Sequence, residues 1–265
     1  MSVSKWLNYV KKIRPYNIGK GFRYLKHYGV REFFVRLGER MEPEEVPYGP
    51  WFDKHRVSEA ALAKQRQTKL AQQPLISVAV PAYQTPSDFL VQMIESLIAQ
   101  SYQNWELCIA NGSPDNTKMA AVLADYARKD IRIRYENVTG EQGIAANTNK
   151  ALDMATGDFI GLLDHDDLLA SNALFEIAQA IASDDTIDVI YTDEDKVTTD
   201  LTEHFQPHFK PDLNIDLLRS NNYICHFFVV RKSLAEKVGG FRKEFDRSEE
   251  RRVGKECRSR WSPYH

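Results

Sequence analysis

Cysteine is scarce in this chain: three occur in 265 residues, with no paired spacing. That excludes a disulfide framework as the source of stability. Cys108 and Cys225 sit inside apolar runs and read as small buried hydrophobes. Long apolar runs are missing too, since nothing approaches the roughly 18 residues that would read as a membrane span. The N-terminal end lacks the apolar stretch of a secretion signal. Charge of one sign is lacking overall, with a formal net of -2, and no nucleic-acid partner is expected. A cytoplasmic, reducing setting fits these absences. What is present is ordinary globular composition, 43% hydrophobic and 11% aromatic. That is enough apolar mass for one substantial core.

The charge is unevenly spread. Residues 1–41 hold ten Lys or Arg against two Glu, a local balance of +8. Val30, Phe33, Phe34 and Leu37 recur there at helical spacing, with Arg31, Arg36 and Arg40 between them. Two readings stay open. One is peripheral contact with the inner face of the plasma membrane, through apolar area and attraction to anionic lipid. The other is a small helical appendage. Glu42 to Pro47 reads as a linker, and Ser58 as the cap of a polar helix through Gln72. Residues 1–73 are therefore set apart as a basic helical N-terminal region and linker.

Residues 247–265 have a different texture, with six basic and three acidic residues and no helix or strand period. The string opening Arg247-Ser248-Glu249-Glu250 resembles the in-frame translation of a common sequencing adapter. The alternative is a solvated basic tail. On the first reading the native sequence departs near Asp246, the domain is truncated there, and the tail stays out of fold reasoning. The formal charge of the rest is then -5.

Residues 74–246 alternate strand and helix. Ile76 to Val80 is a β-branched run. Thr85 is placed as the cap of a helix with Pro86 at its first position. Further strands are expected at 105–110, 131–135, 159–163 and 188–191. Helices are expected from Asp115, over 142–155, and after a Ser171 cap. This alternation predicts an α/β fold with a mostly parallel, doubly wound (Rossmann-like) sheet flanked by helices. Ligands of such sheets bind at the carboxyl ends of the strands.

That rule gives meaning to Asp164-His165-Asp166-Asp167, which follows directly on a buried strand. Asp164 and Asp166 can project toward one place if the chain stays extended. Hard oxygen ligands at that spacing suit Mg²⁺ or Mn²⁺ held jointly with substrate phosphates. The bland reading is a cap cluster for the next helix, and the cluster alone leaves both open.

A family resemblance is carried by several landmarks in order. They are Val80-Pro81-Ala82-Tyr83, Gln100 to Glu106, Gly143 to Asn149, Ala155-Thr156-Gly157-Asp158 before Asp164-His165-Asp166, Tyr191 to Asp195, and Val238-Gly239-Gly240-Phe241. Together they resemble the family 2 glycosyltransferases, nearest to bacterial members that build surface polysaccharides, including rhamnosyltransferase-like proteins. The resemblance implies a GT-A fold. It implies inverting transfer of a sugar from a nucleotide-diphosphate donor to a saccharide or lipid-linked acceptor. It further implies that Asp166 binds the metal, that Asp164 supports ribose or metal, and that Pro81, Tyr83, Asn111 and Asn149 belong to the donor site.

Two departures stand out. Where the family usually carries Asp-Asp-Gly-Ser, this chain has Ala110-Asn111-Gly112-Ser113, which changes the donor and acceptor pattern offered to a base. The acidic motif with the general base, expected shortly after the Gly-Gly-Phe turn, would lie beyond Asp246. Glu249 and Glu250 are not given that role, so the catalytic base is unassigned. Asp193 and Asp195 are candidate acceptor or donor contacts, or simply solvated. His226 lines the pocket or is a satisfied core histidine. His204 and His208 read as structural, since no Cys or third His completes a zinc set. The apolar run Tyr223 to Val230 is expected to lie uncovered by a missing segment. The alternative function is a nucleotide-sugar-binding fragment without turnover. A sugar nucleotidylyltransferase would want a Gly-rich basic loop after the first strand, which Pro81 to Gln84 does not supply.

Overall fold

The computed structural model describes residues 48–140 and 143–246, with Leu25, Gly29, Val30 and Phe33. The readings placed on the basic stripe of residues 1–41 and on 247–265 fall almost wholly outside the described residues. The chain divides into two compact units, residues 1–51 and 52–265. From residue 48 onward the described elements are first helices α1 (Tyr48–His55) and α2 (Glu59–Gln67). Strand β1 (Ile76–Ala82), helix α3 (Ser87–Ile98), strand β2 (Trp105–Asn111), helix α4 (Thr117–Lys129) and strand β3 (Ile133–Asn137) follow. Then come α5 (Ile144–Met154), β4 (Phe159–Leu162), α6 (Ala173–Ser183) and β5 (Val189–Tyr191). Strands β6 (Glu194–Val197) and β7 (His204–His208) form a separate ribbon. Helix α7 (Ile215–Ser220), strand β8 (Phe228–Arg231), helix α8 (Lys232–Val238) and a short 3-10 turn (Lys243–Phe245) follow.

The expected mostly parallel sheet is present, with order β3-β2-β1-β4-β8-β5. Strands β1 to β4 run parallel, and β8 lies antiparallel to both β4 and β5. Every residue of β2 is buried, and all but Pro81 of β1. That is why both read as continuous apolar runs instead of alternating ones. Leu90, Met93, Ile94 and Leu97 of α3 are wholly buried against this sheet's core cluster. Each such side chain contributes about 1.5–3 kcal/mol of burial.

Several local expectations are corrected. Thr85 does not cap α3: its hydroxyl is buried without a hydrogen-bond partner, and Pro86 occupies the cap position. The helix expected from Asp115 starts at Thr117, with Asn116 as its cap, accepting from Met119 N at 3.2 Å. Ser171 does not cap α6. Its carbonyl accepts from Ser101 N at 2.7 Å, and Asn172 stands at the cap. Ser58 does cap α2, accepting from Ala61 N at 3.2 Å. Cys108 is fully buried, but Cys225 is only half-buried and donates to the Asn222 carbonyl at 3.1 Å.

The larger correction concerns Tyr223 to Val230. The run is not left uncovered. Its last part is β8, an interior strand with neighbours on both edges. Tyr223, Phe227 and Val229 are buried. The Phe227 ring lies over Gly161 of β4, where a Cβ would come within 2.2 Å of the ring.

Candidate active site at the carboxyl end of β4

The order of the sheet reverses at β1, which has β2 on one side and β4 on the other. Strand β4 is prolonged by Leu163, whose N–H donates to the Ala79 carbonyl at 3.2 Å. Asp164 then leaves the sheet at its carboxyl edge. The antiparallel pairing of β4 with β8 matches Leu162 to Phe228. Carrying that register two residues further sets His226 opposite Asp164. The pairing of β5 with β8 matches Tyr191 to Phe228, so the same extension sets Asp193 opposite His226. One antiparallel strand thus delivers a histidine between two acidic strand ends.

The distances follow from that register. His226 Nε2 lies 3.5 Å from Asp164 Oδ2 and 4.0 Å from Asp167 Oδ2. One ligand atom from each of Asp164, Asp167 and His226 falls within 4.8 Å of the others. Burial pushes the Asp167 carboxyl up to about 6. His226 counters this, while Asp164, Asp166 and Glu194 add to it. Crowded carboxylates held apart from compensating donors are what a cation would relieve. The set of two carboxylates and one imidazole suits a divalent first-row ion such as Mn²⁺. Asp166 is exposed and lies 3.7 Å from His165 Nδ1, and it is not in the three-residue group.

Behind the group, Glu194 collects donors. Its Oε1 accepts from His208 Nδ1 at 3.1 Å. Its Oε2 accepts from Lys210 Nζ at 3.2 Å and from the His226 N–H at 3.1 Å. Burial raises the Glu194 carboxyl, but His208 and Lys210 outweigh it and hold the group below its usual value. Lys210 Nζ also donates to the His226 carbonyl.

The remaining sequence candidates fall in distinct places. Pro81 is half-buried in β1, and Tyr83 is exposed just beyond it. Asn111 is fully buried at the end of β2. Its Nδ2 donates to Asn137 Oδ1, and its Oδ1 accepts from Ser113 N, both at 2.9 Å. Asn149 of α5 pins the turn before Phe241, donating to the Phe241 carbonyl at 2.7 Å and accepting its N–H at 2.8 Å. Asp193 accepts from Lys210 N at 2.7 Å. Asp195 pairs with His204 at 3.0 Å in the β6–β7 ribbon. His204 and His208 are thus both held by carboxylates. Asp246 accepts the Ala145 N–H at 2.8 Å, at the first turn of α5.

Sequence reasoning missed Asp167 as a separate candidate, and it missed Glu194 and Lys210. Asp167 and Glu194 stood inside quoted acidic strings, which was the available signal. Lys210 carried none, because a lysine between Phe209 and Pro211 reads as surface until its burial is known.

Comparison with known proteins fixes the class. Residues 77–239, more than half of the chain, match Glycosyl transferase family 2. An uncharacterized protein, y4gI, of Sinorhizobium fredii is 44% identical over 180 residues, covering 67% of this chain and 20% of that one. The O-antigen biosynthesis protein RfbC of Myxococcus xanthus is 34% identical over 215 residues, covering 79% and 17% respectively. The chain therefore spans about a fifth of the length of these curated relatives. The fold is shared with residues 1–349 of TarS from S. aureus, with a TM-score of 0.51 and 20% identity over 66% of this chain and 52% of that one.

Proposed function

The chain belongs to glycosyl transferase family 2, and from that premise we propose that it transfers a sugar from a nucleotide-diphosphate donor to a saccharide or lipid-linked acceptor, with inversion. The process is the synthesis of a bacterial surface polysaccharide, in keeping with the name of its relative RfbC. Among the described residues no helix is long and apolar enough to cross a membrane. The reading places the work in the cytoplasm, with residues 1–41 touching anionic lipid where a lipid-linked acceptor would wait. Hexosyl and rhamnosyl donors both fit this reading.

The observation that carries the proposal is the convergence of Asp164, Asp167 and His226 at the carboxyl edge of β4. These residues would hold Mn²⁺ or Mg²⁺, with Mn²⁺ favoured by the imidazole. The bound ion would neutralise charge that builds on the departing diphosphate. Pro81 and Tyr83 border the donor on the β1 side. The acceptor hydroxyl attacks the anomeric carbon as its bond to the diphosphate breaks, and a base takes the hydroxyl proton. That base is expected beyond Asp246, outside the described residues.

The test is calorimetry of uridine, thymidine and guanosine diphosphate sugars with and without Mn²⁺. Wild type, Asp164→Ala and Asp166→Ala are compared. Loss of metal-dependent binding in Asp164→Ala supports the three-residue group, and loss in Asp166→Ala alone moves the ion to Asp166. Unchanged affinity in both sinks the assignment.

A further inference from the structure

We propose that Lys210, paired with Glu194, is a positioning residue that fixes His226 against Asp164 and Asp167. The inference rests on the metal-site reading above and goes beyond it to what holds the site in place.

The Lys210 side chain is 1% exposed. A buried ammonium is costly unless paired and hydrogen-bonded. Here its partners are the Glu194 carboxylate at 3.2 Å and the His226 carbonyl. The same Glu194 oxygen accepts the His226 N–H at 3.1 Å. The ion pair therefore grips both backbone polar groups of one residue, and that residue's imidazole reaches the acidic group. His226 lies just outside β8, so ladder bonds of the strand do not hold it. The grip is anchored in turn. Asp193, beyond the end of β5, accepts the Lys210 N–H at 2.7 Å, and His208 of β7 donates to the other Glu194 oxygen at 3.1 Å. Glu194 already accepts three hydrogen bonds, so it serves as a clamp and not as a ligand.

A buried ion pair is weak evidence for stability, because apolar groups of the same volume commonly do as well. Its value here is geometric. Residues that orient a ligand, without touching the metal, typically change affinity by about 10- to 100-fold when removed.

The experiment measures Mn²⁺ binding to the whole chain by calorimetry and by the spin-resonance signal of free Mn²⁺, with melting followed in parallel. Lys210→Met keeps the stem and removes the charge, and Glu194→Gln keeps the shape and an acceptor. Either should weaken Mn²⁺ about 10- to 100-fold and leave metal-free nucleotide affinity unchanged. If Lys210→Met fails to fold, Glu194→Gln carries the test. Thr198→Ala is the structural control, since Thr198 ties only the ribbon's turn, through Asp200 and Thr202. It should lower the melting temperature without moving Mn²⁺ affinity. If His226→Ala loses Mn²⁺ while Lys210→Met and Glu194→Gln keep it, the positioning role is overturned and the metal site stands. If wild type binds no Mn²⁺, or His226→Ala binds as well as wild type, both fall.

Discussion

The two ends of the central sheet hold carboxylates under opposite conditions, one buried and one half-exposed. At the amino end of β2, Glu106 is surrounded by donors. It accepts from Ser77 Oγ at 2.6 Å, from Thr156 N at 2.6 Å and Oγ1 at 2.9 Å, and from Arg134 at 2.6 Å. Burial raises its carboxyl, but these bonds outweigh burial and hold it below its ordinary value. At the carboxyl end of β4, Asp167 is raised to about 6 by burial and by neighbouring acids, with His226 as the counterweight. One end meets its acid with four protein donors, and the other sets its acid among further carboxylates. The satisfied end is what stability requires. The starved end is what a cation or phosphate ligand requires.

The sharpest way to break this contrast is to remove each acid. Glu106→Ala leaves Arg134 and the Ser77–Thr156 donors without their partner. It should cost about 3 kcal/mol or more, read as a fall in melting temperature, with donor affinity unchanged in the protein that remains folded. Asp164→Ala should do the reverse. Metal-dependent binding is lost with the ligand oxygen, while stability stays within about 0.5 kcal/mol of wild type. Equal melting temperatures for wild type and Glu106→Ala would dissolve the distinction.

Packing over β4 gives the next effect. Gly161→Ala drives a methyl into the Phe227 ring and should cost about 1–3 kcal/mol by overpacking. Because Phe227 follows His226, Mn²⁺ affinity should fall as well. Thermal melts and calorimetry check both.

Acidity sharpens the comparison by sign. The folded Glu106 carboxyl is depressed, so its contribution is present above the ordinary carboxylate range and is lost as pH falls through the folded value. Asp167 is raised from 3.8 to about 6, so its contribution is present below 3.8 and is lost as pH rises through about 6. Denaturation across pH 3–8 should show Glu106→Gln flattening the acid limb and Asp167→Asn flattening the limb near pH 6. A swap of these two effects contradicts the assignments.

The smallest expected effect concerns Asn149. Its two bonds to Phe241 make Asn149→Ala worth about 1 kcal/mol of stability. If nucleotide affinity falls instead and melting is unchanged, Asn149 acts on the donor.

Much of this was legible in the sequence. Strands β1, β2 and β4 show as apolar runs, because parallel strands buried on both faces leave no alternation to hide them; the edge strand β3 shows instead by alternating Ile and Arg over 131–134. The acidic run after Leu163 was legible for the same reason, being the first polar residues after a buried strand. The helix caps were less so. Thr85 and Ser171 are both sound cap residues, and which neighbour takes the position depends on where the loop enters the helix. His226 was legible only as a residue of the pocket or of the core, with nothing to choose between the two. Its place opposite Asp164 depends on β8 pairing antiparallel with β4 across a separation of more than sixty residues, and no local pattern encodes that pairing. Lys210 is hidden likewise, since its burial is a property of the ribbon and the β8 approach together.

Strand β8 also orders events in time. Among the described residues strand β5 pairs in the sheet with β8 alone, and residues 163–227 separate β4 from β8. Bringing such distant segments together is slow compared with local pairing. During synthesis at about 5–20 residues per second, the ribosome needs roughly 3 to 13 seconds to pass from the end of β4 to β8. Through that interval β1 to β4 can pair while Asp164 and Asp167 have no histidine opposite them. The group of Asp164, Asp167 and His226 is then among the last parts of the sheet to assemble. A nascent chain stalled before His226 would carry a partly formed sheet with an open edge at β4, a surface suited to chaperones and prone to joining other chains.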